Sequence, residues 1–281
     1  MKTIRTDDIS IPVLQQYLQA AIAPRPICFA STVDLAGNVN LSPFSFFNLF
    51  SMNPPVCVFS PSRRVRDNTT KHTLENLKEV PECVINIVNY SMVQQVSLAS
   101  CEYPKNTNEF IKAGFTPIAS ELVRPPRVKE SPVQMECTVM EIISLGEKAG
   151  AGNLVLAEIK RIHIQEEVLD DLQKIDPFKL DLVARLGEDW YTRVTPASLF
   201  KVEKPNTQLG IGIDQLPPYI AQCAQLTNNE KAQLANVSQL PTNLDNRENI
   251  ALTEVNIAEI KDALSRNNSA LAWEIIEKSI A

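Results

Sequence analysis

Glycine is scarce in this chain, with 8 residues in 281. No Gly-x-Gly-x-x-Gly and no Gly-x-x-x-x-Gly-Lys-Ser/Thr occurs, and Gly150-Ala-Gly152 and Gly210-Ile-Gly212 do not continue into either. A Rossmann dinucleotide fingerprint and a P-loop are therefore excluded, as is a Gly-x-Ser-x-Gly nucleophile elbow. There are only two histidines, His72 and His163, and the six cysteines include no Cys-x-x-Cys pair, so a zinc centre lacks ligands and no metal is expected. The net charge of −6 argues against broad nucleic-acid binding, which needs a basic footprint. No 18-residue apolar run appears and the first residues, Met1 to Asp8, carry no signal-peptide core. The expectation is a cytoplasmic protein with no membrane contact, whose Cys28, Cys57, Cys83 and Cys137 are buried free thiols. Paired carboxylates and nucleophile–base pairs are also missing, so no catalytic residue is assigned. An enzyme without acid–base machinery leaves the reaction to a cofactor.

What is present is a series of short apolar runs. Ile27–Val33, Val39–Leu41, Phe44–Phe50, Val56–Ser60 and Cys83–Val88 read as strands, with Val133–Leu145 and Leu154–Ile164 as a long hairpin. Asp34 to Asn38 is a turn signal, with Gly37 and Asn38 suited to positive φ. Helices are expected at Pro12–Ala21, Lys71–Val80, from the capping pattern Ser91-Met-Val-Gln94 to Ser100, and at Asn108–Ala113 closed by Gly114. Strands so close in sequence pair as antiparallel neighbours, and the helices are too short for a βαβ series. A closed or partly closed antiparallel barrel with helical decorations follows. After Lys204-Pro205 the pattern becomes helical and polar, with a Thr227–Glu230 capping box and amphipathic stretches at Thr253–Ser265 and Ala270–Lys278. The organisation expected is a domain over 1–203 and a helical C-terminal extension over 204–281.

Three segments carry candidate binding chemistry. Between the strand ending at Phe59 and the helix starting near Lys71 lie Arg63, Arg64, Arg66 and Lys71 with Ser62, Thr69, Thr70 and Thr73. A helix start favours anions, and these side chains add full charges and neutral donors, so the segment reads as a phosphate seat. The alternative is a solvated loop paired with acidic residues. Ser45 to Asn48 offers an extended backbone and Phe44, Phe46 and Phe47 apolar walls for a planar heterocycle, or else the phenylalanines are barrel core. Ser31 and Thr32 end an apolar strand, where hydroxyls bind a ligand or satisfy a turn. His163 alternates with Ile162 and Ile164 as a strand histidine, and Tyr191 is either a ligand contact or a core anchor.

At these residues the chain resembles the flavin reductase-like proteins with an FMN-binding split β-barrel. The matching stretches run in order through Pro24-Arg-Pro-Ile to Asp34, Asn40-Leu-Ser-Pro-Phe-Ser-Phe-Phe-Asn48, Pro54-Pro55 and Lys71-His-Thr-Leu-Glu-Asn76. They continue with Cys83–Val88, Phe110-x-x-Ala-Gly-Phe, Glu130-Ser-Pro-Val-x-x-Glu-Cys137 and Leu182-Val-Ala-Arg-Leu-Gly. The resemblance implies a mainly β fold, a six-stranded antiparallel split barrel, forming a homodimer that binds FMN near the subunit interface. It implies Ser31, Thr32, Ser45, Phe46, Phe47 and Asn48 along the isoalloxazine and ribityl, and Ser60, Ser62, Arg63, Arg64, Lys71 and Thr73 near the phosphate. Many relatives carry Asp where this chain has His72. The activity implied is hydride transfer from NADH or NADPH to flavin. The alternative is a non-enzymatic FMN-binding electron carrier reduced by a redox partner protein.

Overall fold

The computed structural model describes residues 1–202, 209–241 and 252–280. Two compact units divide the chain, Met1–Leu199 and Phe200–Ala281. The boundary expected at 203/204 lies outside the described residues.

The first unit is built on strands β1 (Cys28–Val33), β2 (Val39–Phe44), β3 (Phe47–Met52), β4 (Pro55–Phe59) and β5 (Glu82–Ile87), the short β6 (Pro117–Ile118) and β7 (Arg127–Val128), and the long hairpin β8 (Val133–Ser144) and β9 (Asn153–Ile164). One antiparallel sheet takes the order β2-β1-β5-β8-β9-β4-β3. Its two edge strands, β2 and β3, are consecutive in sequence and joined through Ser45 and Phe46 alone, so the sheet curls until its edges meet at that corner. This is the barrel expected, with seven strands rather than six. Six was the number implied by the resemblance, whereas the strand runs read from the sequence already number seven; what shifts is a boundary, since β2 extends through Pro43 to Phe44 and a corner at Ser45 and Phe46 separates it from β3. Register shifts at Glu136/Cys137 and Val139/Glu141 bend the long hairpin, as bulges do where a sheet must curve.

The interior is narrow and is filled by small side chains. Cys28, Ala30, Cys57, Cys83, Cys137 and Ala157 share it with Phe44, Phe59, Ile85 and Val155. Small residues at these places let opposite walls approach, and the Phe44 and Phe59 rings, 5.5 Å apart, plug the space near the β2–β3 corner. Strand alternation sends Phe29 and Leu41 to the other face, where they meet Val96, Phe110 and Phe115 in a second core. That core seats helices α1 (Ile11–Ala21), α2 (His72–Glu79), α3 (Val93–Ala99) and α4 (Glu109–Ala113) unevenly: α3 and α4 contribute to it, α2 sends Leu77 into the barrel interior, and α1 buries no residue.

Two turn details differ from expectation. Gly37 takes φ 89°, but Asn38 is not at positive φ and is held instead by Asp34, whose carboxylate accepts from its N–H and its amide at 2.8 Å. The Ser91–Gln94 capping box does not form, because Ser91 Oγ donates to Asn89 Oδ1 at 2.8 Å and a 3-10 turn, Tyr90–Met92, precedes α3. The Asn108 cap and the left-handed Gly114 that closes α4 form as the sequence predicts.

After the one-turn helix α5 (Pro177–Leu180), a small hairpin, β10 (Val183–Arg185) and β11 (Tyr191–Arg193), completes the first unit. Tyr191 is half-buried against the second core with the Arg185 guanidinium over its ring, which makes it an anchor of that core. The second unit holds the short α6 (Pro218–Ala221), α7 (Asn228–Ala235), α8 (Glu254–Ser265) and α9 (Ser269–Ile280). Thr227 and Thr253 close capping boxes at the starts of α7 and α8. Its own core of Ile220, Leu234, Ile260, Leu264 and Ile276 surrounds Trp273, whose indole N–H donates to the Leu234 carbonyl at 3.1 Å. Among the described residues no helix is long and apolar enough to cross a membrane.

Candidate functional site

The segment from Ser60 to Lys71 leaves β4 and enters α2, and its backbone is fixed from two sides. Ser60 N donates to Phe46 O at 2.9 Å, which ties it to the β2–β3 corner. Arg63 N donates to Ala151 O at 2.8 Å and Gly150 N to Arg63 O at 3.2 Å, which zips it to the β8–β9 loop. Close approach explains the glycines there. A Cβ on Gly152 would lie 2.7 Å from Ser60 Oγ, the atom that accepts from Asn153 N.

Within this frame the cations are held by the loop itself. Arg63 donates through Nε and Nη2 to the side chain and carbonyl of Asn68, at 2.7 and 2.6 Å. Arg64 Nη1 donates to Thr69 Oγ1 at 2.9 Å and to the Thr70 carbonyl. Asp67 accepts from the hydroxyl and N–H of Thr69, which hold its carboxyl down to about 2. Thr69 and Thr70 were expected as donors to a ligand. Their hydroxyls are spent within the protein, Thr69 on Asp67 in the loop and Thr70 on Glu75 of α2 at 2.8 Å. Among the described residues, Arg63 Nη1, Arg64 Nη2 and the Lys71 ammonium donate to nothing. Lys71 is the residue before α2, and no side chain caps that helix. Burial lowers the Lys71 pKa, the Arg64 charge lowers it further, and Glu102 opposes both. Among the described residues this ammonium has no carboxylate in ion-pair contact, and an anion at the helix start would supply the counter-charge.

These groups form one end of a groove of about 630 Å³. Its floor and polar end are Phe46, Ser62, Arg63, Arg64 and Lys71, and its far wall is the apolar face of α1, with Ile11, Leu14, Leu18 and Ile22. The structure therefore brings together five of the twelve residues that the resemblance implied, with Arg66 from the same loop beside them. Ser45 lies alongside, its hydroxyl 3.4 Å from Arg25 Nε. Phe47 turns toward the barrel core and Asn48 is exposed, its side-chain Oδ1 accepting from Leu49 N at 2.8 Å. Ser31, Thr32, Ser60 and Thr73 are buried and their hydroxyls are engaged elsewhere. Ser31 donates to the Pro126 carbonyl, Thr32 accepts from Asn76 at 3.2 Å and Thr73 accepts from Asn40 at 2.9 Å. The Thr32–Asn76 and Asn40–Thr73 bonds dock α2 on β1 and β2, while Ser31 is tied to the Pro126 carbonyl and Ser60 to Asn153 N, so the four hydroxyls shape the groove without lining it.

His163 is satisfied by the buried Glu136, at 2.7 Å, which also accepts from the N–H groups of Glu121 and Leu122. Among the described residues no cluster of His, Cys, Asp or Glu is placed to hold a metal.

Arg25 is the residue that sequence reasoning passed over. It is 7% exposed. Its Nη1 donates to the Gln19 and Ile22 carbonyls at the end of α1, and its Nη2 to the Leu186 carbonyl of the β10–β11 turn at 2.6 Å. Burial, reinforced by the Arg185 charge, lowers its pKa. It satisfies helix-end carbonyls that have no partner inside the helix, and so fixes α1 across the groove. The signal was a lone arginine between two prolines, directly before a fully buried strand.

The model of the flavin reductase like domain matches residues 21–177. An uncharacterized protein of Aquifex aeolicus is 32% identical over 189 residues, which are 67% of this chain and 94% of that protein. The crystal structure of nitrilotriacetate monooxygenase component B from Bacillus cereus is 29% identical with a TM-score of 0.67, over 72% of this chain and 98% of that one. A split-barrel-domain protein from Shewanella frigidimarina is 25% identical with a TM-score of 0.60, over 70% of this chain and 95% of that one. Each is covered nearly end to end while part of this chain is left unmatched.

The Arg25 contacts generate one expectation. Arg25→Ala leaves three carbonyls without their donor and should cost about 3 kcal/mol. Amide hydrogen exchange over residues 11–22 should accelerate, with the barrel strands little changed. Equal exchange in the two proteins would mean that other contacts hold α1.

Proposed function

The chain belongs to the flavin reductase-like family, and from that footing we propose that it is an NAD(P)H-dependent flavin oxidoreductase that holds FMN in the groove between α1 and the cationic loop. The observation that carries the reading is the set of unspent donors at Arg63, Arg64 and Lys71 beside an uncapped helix start. A phosphate ester fits there on charge and on hydrogen-bonding capacity. The groove continues from that end along Phe46 and the apolar face of α1, which suits a flat aromatic ring system.

When bound, FMN supplies a two-electron acceptor for hydride from NADH or NADPH, which leaves as NAD⁺ or NADP⁺, and passes the electrons to free flavin or another acceptor. The protein's part is to bind and to orient. Arg63, Arg64, Lys71 and Ser62 hold the ester. Phe46 and the Ser45 to Asn48 backbone flank the ring, and the α1 face, fixed by Arg25, limits water on its open side. No side chain is asked to move a proton.

A homodimer belongs to this reading. β3 is an edge of the sheet, and Leu49, Phe50 and Met52 on it are exposed. An apolar strand edge left open invites pairing, and a second copy of the chain is the occupant we propose. The reading also places the protein in the cytoplasm, in keeping with its six free cysteines.

Three measurements test these statements. Absorbance between 350 and 500 nm should show bound flavin that bleaches under anaerobic NADH or NADPH, and flavin that neither donor bleaches would leave an electron carrier reduced by a redox partner protein. Arg63→Ala with Lys71→Ala should weaken FMN by at least tenfold, from about 1.5–3 kcal/mol per charge-assisted bond, and leave riboflavin nearly unchanged. Equal losses for both ligands would move the phosphate elsewhere. Phe50→Asp should convert a dimer to a monomer in analytical ultracentrifugation, and an unaltered dimer would place the interface on another face.

A further inference from the structure

Glu102 stands inside the cation cluster, and the reading above gives it no part. It follows α3 on a turn and lines the groove together with Arg63, Arg64 and Lys71. Its two carboxylate oxygens are divided between two arginines: Oε1 is 3.4 Å from Arg64 Nε, and Oε2 accepts from Arg66 Nη2 at 2.7 Å. Glu102 is therefore already placed where an incoming phosphate would compete for Arg64.

Counting charge at the loop end of the groove, apart from Arg25, whose guanidinium is engaged by the Gln19, Ile22 and Leu186 carbonyls, shows what this does. Arg63, Arg64, Arg66 and Lys71 bring four positive charges. Asp67, 3.3 Å from Arg66, and Glu102 bring two negative ones. Glu75 is matched by Lys105 at 3.5 Å and drops out of the sum. His72 is neutral near pH 7, because burial lowers its pKa from an ordinary value already below that. The seat is left with about two positive charges, and a phosphate monoester carries about −1.5 to −2 near neutral pH. With Glu102 removed the seat would exceed its ligand by a full charge, and in the free protein the Arg64 charge felt by Lys71 would lose the opposing charge of Glu102.

We propose that Glu102 is a specificity-determining residue that competes internally for Arg64 and Arg66, sets the seat to the charge of one phosphate monoester, and yields Arg64 when that ester binds. The proposal rests on the FMN reading. Binding is then an exchange, one anion for another on the same guanidinium. The carboxylate, whose side chain is 47% exposed, turns to water as it leaves. The exchange keeps the loop ordered in the free protein at some cost to affinity.

The test compares dissociation constants of FMN and riboflavin for the full-length protein, Glu102→Gln and Glu102→Asp, by flavin fluorescence at low salt and at 1 M salt, with thermal melts as the check on folding. Glu102→Gln should tighten FMN about fivefold, the scale of a partly exposed ion pair, and leave riboflavin unchanged. Glu102→Asp, which keeps the charge, should stay close to wild type. The gain should vanish at 1 M salt, where charges are screened beyond about 3 Å. Weaker FMN binding in Glu102→Gln would make Glu102 a scaffold for Arg64 and overturn the proposal, as would equal changes for FMN and riboflavin. Wild-type protein that binds neither flavin would bring down the FMN reading itself, and this proposal with it. Wild-type FMN binding without the Gln effect would overturn this proposal alone.

Discussion

Like-charge crowding at the start of α2 is the constraint around which this site is organised. Three guanidinium groups and an ammonium within a nine-residue span repel one another unless something intervenes. The chain solves this locally. Asn68 takes two donors of Arg63, Thr69 and Thr70 take those of Arg64, and the carboxylates of Asp67 and Glu102 sit among the charges. Every one of these partners except Glu102 lies within the same loop, so the cluster is largely pre-formed. A site organised before its ligand arrives avoids the ordering entropy that a floppy basic loop would lose on binding.

The opposite wall obeys a different logic. Helix α1 buries no residue fully, so packing alone gives it little hold. A buried guanidinium adds the hydrogen-bonded hold, through carbonyls at the helix end and on a hairpin about 160 residues away in sequence. Burying that charge is costly, and the cost is offset only while all its bonds are made. The groove thus has one side set by charge pairing within a loop and the other by a long-range clamp.

Much of this was legible in the sequence, and the limits are instructive. The strands, the long hairpin, the Asn108 cap and the Thr227 box follow from alternation and capping rules that act over a few residues. The position of the cationic loop between a strand end and a helix start was readable for the same reason. Ser31, Thr32 and Thr73 were singled out as hydroxyls near a strand end or helix start, but whether a hydroxyl faces a groove or a neighbouring helix depends on docking. Here Asn40, Asn76 and the Pro126 carbonyl claimed all three. Glu102 gives no signal at all, because its meaning comes only from two arginines 38 and 36 positions earlier. All seven strands were legible as runs, but the β2–β3 boundary was not, since a corner at Ser45 and Phe46 inside a continuous apolar run leaves the periodicity nearly intact.

The thiols sealed in the barrel have a use that does not depend on any ligand. Cys28, Cys57, Cys83 and Cys137 are buried within its walls, whereas Cys101 lies at the surface. An alkylating reagent reaches the surface sulfur directly but meets the other four only when the strands part. The chain thereby carries its own reporters of breathing in the barrel, and the rate at which those sulfurs become modified measures how often its wall opens.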